Sequence, residues 1–435
     1  MPRLAMGSLG MGSFDMGSLD RGSVAMVEPL RESAPNLHDR SSEANRSMAG
    51  APQFSTDHFS KKLALFYAAY FVFGGIQLPF FPLWLGARGL DAQTIGFVIA
   101  VPMVVRIIAT PLITHWADHR RALRGTIIAA SVLAACAMTA VGLAQSAVAI
   151  FVVFVIAAAA YSPILALTDA YALSGLALRG RTYGPVRLWG SAAFIGGNIV
   201  AGLMLERFAP GTLIWLIVAA LTVSALASMA LDPIHGKGQA APAEAASTAL
   251  SPKLLLRNPA FLAVALASAM IQSSHALYYG FSTVQWRAAG FDGTLIGALW
   301  SVGVVAEIVL FAWSGRLPAT LRPTTLLAIG GAGAILRWGA MAFSPPVAVL
   351  APLQLLHACS FAATHLGLMG FMARSVPREL AARAQGYVAT LASLVNASAT
   401  LASGFVYAWA GGHAYLMTAA MALIGTLSAL YAARR

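Results

Sequence analysis

Asp169 and Arg187 stand 18 positions apart, the first near the end of one long apolar run and the second at the start of the next. Between them lies a short basic loop, Arg179-Gly180-Arg181. Ionised groups at the inner ends of apolar spans are costly unless they face a partner or a wet cavity. An acid and a base on two spans joined by so tight a loop are therefore expected to share one cavity, where they could pair or hold a polar solute between them. The bland alternative for Arg187 is a charge that snorkels to the membrane surface.

Few other ionisable residues interrupt the apolar runs. Arg106 lies in VPMVVRIIATP and Glu307 in VGVVAEIVLF, each too deep to reach an interface easily. They are expected to line the same cavity with opposite charge, or else to be structural ion-pair members. Arg337, in GAILRWGAM, stays charged at any physiological pH and forks onto carboxylates. It could anchor an anion or hold Glu307 ionised until a proton arrives. His275, His357 and His365 also lie in apolar context, the last two eight residues apart and nearly on one helical face. Imidazole titrates near neutrality and can relay protons, although a lone histidine in a helix is more often a hydrogen-bonding core residue. Aromatic residues near these positions, among them Tyr67, Tyr70, Tyr161, Trp189, Tyr278, Tyr279 and Trp300, could stack on a ring-bearing solute, although ordinary packing explains most such residues.

The elements that must position these groups follow from composition. The chain has 435 residues, of which 58% are hydrophobic and 10% charged, against about 25% charged in soluble domains. Its apolar runs are continuous and about 20 residues or longer, as helical spans require, whereas β-barrels show short alternating segments. An all-α integral membrane protein is expected. Twelve spans are read near 63–86, 94–115, 124–144, 147–173, 185–206, 211–231, 259–281, 293–313, 324–343, 347–373, 386–409 and 415–432. Lysine and arginine crowd one set of connecting segments, while the opposite set carries only Arg88, Arg207 and Arg287. The positive-inside rule then places both termini and the middle loop in the cytoplasm.

Residues 1–60 open with a five-residue repeat and stay polar, so a disordered low-complexity tail is expected there. Segment 232–258 is the longest internal polar stretch and reads as a cytoplasmic linker between two six-span halves, 61–231 and 259–435. Ile95, Gly96, Val101, Val104 and Ile107 recur 201 residues later, and Arg181, Gly184, Val186, Ser191 and Gly202 recur 202 residues later. At the offset of 201, Arg106 and Glu307 are equivalent.

Several chemistries are excluded or disfavoured. Cys136 and Cys359 both lie in apolar runs and imply no disulfide framework. No clustered ligands suggest a metal, no Walker loop suggests a nucleotide, and no soluble basic module suggests nucleic acid. No cofactor is expected, and no nucleophile–base set suggests an enzyme. Nothing signals a partner subunit, so a monomer is expected.

The twelve-span layout and the segment Trp116-Ala117-Asp118-His119-Arg120-Arg121 resemble the major facilitator superfamily, whose fold is two six-helix halves related by a pseudo-two-fold axis. The resemblance implies that Asp118, Arg120 and Arg121 form a conformational latch. The family's loop reads roughly Gly-x-x-x-Asp-Arg-x-Gly-Arg-Arg; here Thr114 and His119 replace the glycine and an arginine. Within the superfamily, Tyr183 through Ser191, Ser274 through Tyr279, Trp300 through Glu307, and Leu356-His357-Ala358 with His365-Leu366 look like the phenylpropionic acid porter group. That group also resembles lactose-permease-type proton symporters. The likeness implies that Asp169, Arg187 and Glu307 bind substrate, yet no carboxylate stands in span 10, where the sugar symporters accept a proton.

A cytoplasmic-membrane symporter importing a small organic solute with protons is therefore expected, working by alternating access. Asp169, Arg187, Glu307, Arg106, Trp189 and Tyr278 are the expected substrate-binding residues. Glu307, Arg337, His357, His365 and His275 are the expected proton-coupling residues, with either Glu307 or a histidine taking the proton. An aromatic carboxylate such as 3-phenylpropionate is one expected solute. A sugar or nucleoside, drug efflux against protons, and a non-transporting sensor are the alternatives.

Overall fold

The computed structural model describes residues 58–234, 253–318, 320–377 and 380–435, and every regular element among them is helical. The long helices, in chain order, are α1 (His58–Ala87), α2 (Ala92–His119), α3 (Leu123–Leu143), α4 (Ala147–Ala177), α5 (Tyr183–Arg207) and α6 (Leu213–Met229). They continue as α7 (Pro259–Ala288), α8 (Gly293–Trp313), α9 (Pro323–Met341), α10 (Val347–Ser375), α11 (Ala381–Ala410) and α12 (Tyr415–Ala432). Among the described residues, ten segments are long and apolar enough to cross a membrane. One of these is the 50-residue stretch Arg383–Ala432, which the turn Gly411–Ala414 divides into α11 and α12. The helix α9 is not among the ten, because Arg337 and four glycines lower its hydropathy.

The expected tail and linker fall mainly on residues 1–57 and 235–252, which lie outside the described residues. At their edges helix begins earlier than expected, since α1 starts at His58 and a short helical turn covers Lys253–Arg257.

Three spans are interrupted, each beside a polar group discussed below. In α4 the break is at Ser162-Pro163, where proline has no N–H to continue the ladder. In α7 it is at Ser274-His275, where the Ser274 hydroxyl donates to the Ile271 carbonyl at 2.6 Å and accepts from Trp338 Nε1 at 2.8 Å. Such a side-chain bond competes with the helix ladder for its carbonyls. In α10 a turn at Leu356 leads into a π-helical segment, Ala358–Ala363.

The repeat seen in the sequence has structural counterparts. Gly89 and Gly290, 201 residues apart, both turn with left-handed backbone (φ 82° and 85°). Two residues further on, Asp91 and Asp292 cap α2 and α8, accepting from the backbone N–H of Thr94 at 2.8 Å and of Leu295 at 2.7 Å. The Thr94 amide holds the exposed Asp91 carboxyl below its usual range. Contacts between the first six helices and the last six run mainly between α2 and α11, between α5 and α8, and between α1 and the second segment of α7. Adding six to each label carries the α2–α11 pair onto α8–α5, as a pseudo-two-fold axis requires.

These contacts are tightest at the end opposite the chain termini. A Cβ on Gly96 would lie 2.7 Å from the Gly404 Cα, and one on Gly293 would lie 2.2 Å from the Gly202 carbonyl oxygen. Small residues let membrane helices approach backbone to backbone. There the Glu206 carboxylate on α5 accepts from the Thr294 N–H (3.0 Å) and hydroxyl (3.1 Å) at the start of α8. The negative charge suits the positive end of that helix. Substituting Gly293→Ala is expected to wedge this end apart, since overpacking of this kind costs about 1–3 kcal/mol. Cysteines placed on facing turns of α5 and α8 should then cross-link several-fold more slowly than in the Gly293 protein.

Candidate functional site

The α4–loop–α5 corner brings Asp169 and Arg187 into one neighbourhood but does not join them directly. Asp169 Oδ1 accepts from the Tyr67 hydroxyl at 2.6 Å and from the Tyr183 hydroxyl at 2.8 Å. Its Oδ2 takes no protein hydrogen bond among the described residues. Arg187 acts on Asp169 electrostatically, yet its guanidinium lies over the Phe71 ring, 4.0 Å from the centroid. Its Nε and Nη1 are buried without hydrogen-bond partners. Gly190 makes this pose possible, because a Cβ there would meet Arg187 Nη1 at 2.8 Å and Phe71 Cδ2 at 2.9 Å. The expected acid–base pair is therefore an acid held by two phenols and a cation stacked on an arene. Tyr183 and Phe71 were not among the expected binding residues, and Tyr67 was expected only as a stacking ring.

Arg187 also acts electrostatically on Glu307, as helix α5 packs against α8. Glu307 Oε2 lies 3.4 Å from His357 Nε2, and His357 Nδ1 lies 3.1 Å from Arg337 Nη1. Arg337 is 0% exposed. Its Nη2 donates to Gln354 Oε1 at 2.6 Å, and its guanidinium lies 4.5 Å from the ring centres of both Tyr278 and Trp338. Cation–π contact and hydrogen bonding offset part of the cost of burying a guanidinium. No carboxylate pairs with Arg337 directly among the described residues; Glu307 is reached through His357.

The other expected residues are distributed around these two groups. His275 stands edge-on to His357 with ring centres 5.2 Å apart; its Nδ1 lies 3.0 Å from the Gln272 carbonyl and its Nε2 3.0 Å from the Ser360 hydroxyl. His365 meets Phe311 edge-on at 5.9 Å and acts electrostatically on Glu307. The π segment between His357 and His365 holds about one extra residue, so their eight positions span roughly two turns, as seven would in a plain helix. Arg106 is exposed in mid-α2 and acts on Tyr70 and Tyr161, the former also within reach of Asp169. It makes no ion pair with Glu307 among the described residues, although the two are repeat equivalents.

Two placements correct the expectation. Trp189 is 60% exposed and shares an outward stripe of α5 with Leu188, Ile199 and Leu203. Two residues in a helix differ by about 200°, so Trp189 points away from the side on which Arg187 stacks against Phe71 of α1. Tyr278 is 2% exposed and packs on Trp300 at 4.4 Å, so it backs Arg337 rather than facing open space. Asp118, Arg120 and Arg121 are exposed at the end of the termini, and Asp118 forms no ion pair among the described residues. The loop turns through Arg121, whose φ is 51°.

Helices of this length in two six-helix repeats, with ionisable groups on the facing helices α5 and α8, are the arrangement expected of a membrane transporter. The chain belongs to the MFS_1 like family, whose model matches residues 60–417. It is 30% identical over 361 residues to a probable 3-phenylpropionic acid transporter of Escherichia coli (strain K12), covering 83% of this chain and 94% of that protein. It is 26% identical over 375 residues to the maltose permease of Geobacillus stearothermophilus, covering 85% and 94%. The crystal structure of the nucleoside transporter NupG superposes with a TM-score of 0.74 at 17% identity, covering 87% of this chain and 99% of that one. The protein is thus a multi-pass membrane transporter of a small molecule, not an enzyme.

Proposed function

We propose that the protein is a proton-coupled symporter that imports a small organic carboxylate, with an aromatic acid such as 3-phenylpropionate as the solute. The observation that carries this reading is the placement of Arg187 and Glu307 on facing helices of the two repeats, within electrostatic reach but unpaired. A cation left without a carboxylate partner in the crevice suits an anionic solute. A carboxylate beside it that can take up a proton suits coupling. The 30% identity to the probable 3-phenylpropionic acid transporter supports the aromatic acid, and the Phe71 and Tyr67 rings beside Arg187 would cover its apolar part.

In this reading the protein sits in the cytoplasmic membrane as a monomer, with both termini and residues 232–258 on the cytoplasmic side. The halves 61–231 and 259–435 rock about the crevice. The glycine-sealed end then faces outward and the structure faces inward, with the Asp118–Arg120–Arg121 latch undone. Arg106 supports the first-half charges, while Arg337, His275, His357 and His365 set the environment of Glu307.

Asp169 favours a second reading, a neutral hydroxylated solute such as a sugar or nucleoside, because its Oδ2 remains open to accept a hydroxyl. Uptake of labelled 3-phenylpropionate into cells expressing the protein separates the two. The first reading predicts saturable uptake that a protonophore abolishes and that lactose or uridine leaves unchanged. Uptake of a labelled sugar or nucleoside, with none of 3-phenylpropionate, would establish the second.

A further inference from the structure

We propose that Arg337 is a positioning residue that holds His357 in the tautomer bearing its proton on Nε2, so that the transported proton is taken by Glu307 and never by His357. The inference rests on the proton-coupled reading above and assigns its proton to one group. A guanidinium has donors only. With Arg337 Nη1 at 3.1 Å, His357 Nδ1 must therefore accept. The neutral ring then carries its single proton on Nε2 and points it at Glu307 Oε2, 3.4 Å away.

Arg337 cannot easily turn aside. Gln354 Oε1 accepts from its Nη2 at 2.6 Å, the Gln354 side-chain amide is itself tied to the Leu350 carbonyl at 3.0 Å, and the Tyr278 and Trp338 rings pack against the guanidinium. Protonating His357 at Nδ1 would set two N–H groups against each other and place a second positive charge beside a buried one. His275 is closed in the opposite sense. Its Nδ1 must donate to the Gln272 carbonyl, so in the neutral ring Nε2 accepts from the Ser360 hydroxyl.

The groups facing Glu307 and His357 are thus Arg187 from α5, His275, Tyr278 and Tyr279 from α7, Arg337 from α9 and His365 from α10. The arginines keep their charge, Arg337 keeps His357 neutral, and both ring nitrogens of His275 are taken up by Gln272 and Ser360. Glu307 is the carboxylate among them, with Oε2 accepting from His357 and Oε1 left to receive the proton. His357 becomes a fixed hydrogen-bond donor that orients the carboxylate.

A glutamine at 357 offers a terminal amide donor but no titratable site. His357→Gln should therefore keep protonophore-sensitive accumulation within about threefold of wild type, whereas His357→Ala, which loses the donor, should lower it about tenfold or more. Accumulation lost in His357→Gln, at wild-type surface expression and with energy-independent exchange intact, would overturn the inference and make His357 the carrier. A spectroscopic readout tests the role of Arg337 itself. In full-length protein with ¹⁵N-labelled histidine, the signals that vanish in His357→Gln should show an unprotonated Nδ1 and a protonated Nε2 throughout the range of pH that supports transport. In Arg337→Gln the tautomers should mix or titrate. A protonated Nδ1 in the wild-type protein would contradict the assignment. Proton coupling retained in Glu307→Gln would overturn the assignment while leaving the proton-coupled reading standing, whereas wild-type accumulation that a protonophore leaves unchanged would end that reading itself, so the two failures are told apart.

Discussion

Replacing Glu307 by glutamine is expected to abolish uphill accumulation of the solute while leaving exchange across the membrane largely intact. The glutamine is nearly isosteric and still accepts through its carbonyl, so the hydrogen bond from His357 and the packing of α8 on α5 should survive. What is lost is a group that changes charge. In wild-type cells a gradient of one pH unit supplies about 1.4 kcal/mol per proton, enough for roughly tenfold accumulation. In the Glu307→Gln protein the ratio of internal to external solute should fall to about one. Counterflow of labelled against unlabelled solute, which needs no proton, should stay within a few-fold of wild type. Loss of both activities at normal surface expression would point to a structural role for Glu307 instead.

The second large effect concerns Arg187. Truncation to alanine removes a cation that is stacked on an arene and acts on both Asp169 and Glu307. Hydrogen bonds to charged groups contribute about 1.5–3 kcal/mol, so the KM for a carboxylate solute should rise by roughly 10- to 100-fold. Arg187→Lys should recover little of this loss. An ammonium is a compact, strongly hydrated charge that neither forks onto a carboxylate nor stacks flat on Phe71. Full recovery by lysine would mean that only the positive charge matters and that the ring contact with Phe71 is incidental. Initial-rate uptake over a range of solute concentrations checks both variants.

Much of the architecture was legible because a membrane span is announced by one local property, an apolar run of sufficient length. Asp169, Arg187, Glu307 and Arg337 stood out for a related reason, since an ionised group in such a run demands a tertiary explanation. Their actual partners were not legible. Nothing local to Asp169 announces that Tyr67, 102 residues earlier, and Tyr183, 14 residues later, both donate to it. The Arg337–His357–Glu307 chain joins three helices, and the exposed flank of Trp189 depends on how α5 is turned against α1 and α8. The π turn at Ala358–Ala363 has no sequence signature, yet it determines that His357 and His365 share a face. By contrast, the repeated Gly89-x-Asp91 and Gly290-x-Asp292 cap is readable in the sequence at the same offset as Ile95 and Ile296.

The breaks in α4, α7 and α10 have a common physical sense. Each frees backbone groups at membrane depth, which is tolerated where neighbouring side chains re-satisfy them or where they line a cavity. Ser274, His275 and Gln272 serve the break in α7 and the π turn in α10, with Gln272 Nε2 reaching the Phe361 carbonyl at 3.4 Å. Those side chains pack beside His357, so the irregular backbone and the charged network occupy one region of the last six helices.

The central claim is that solute and proton cross together through Glu307. The most direct measurement is the external pH of lightly buffered, de-energised cells expressing the protein when 3-phenylpropionate is added. The account predicts prompt alkalinisation with the wild-type protein and none with Glu307→Gln, although both reach the membrane and both exchange the labelled acid. Entry of the acid without any pH change in the wild-type protein, or the same alkalinisation in both, would contradict it.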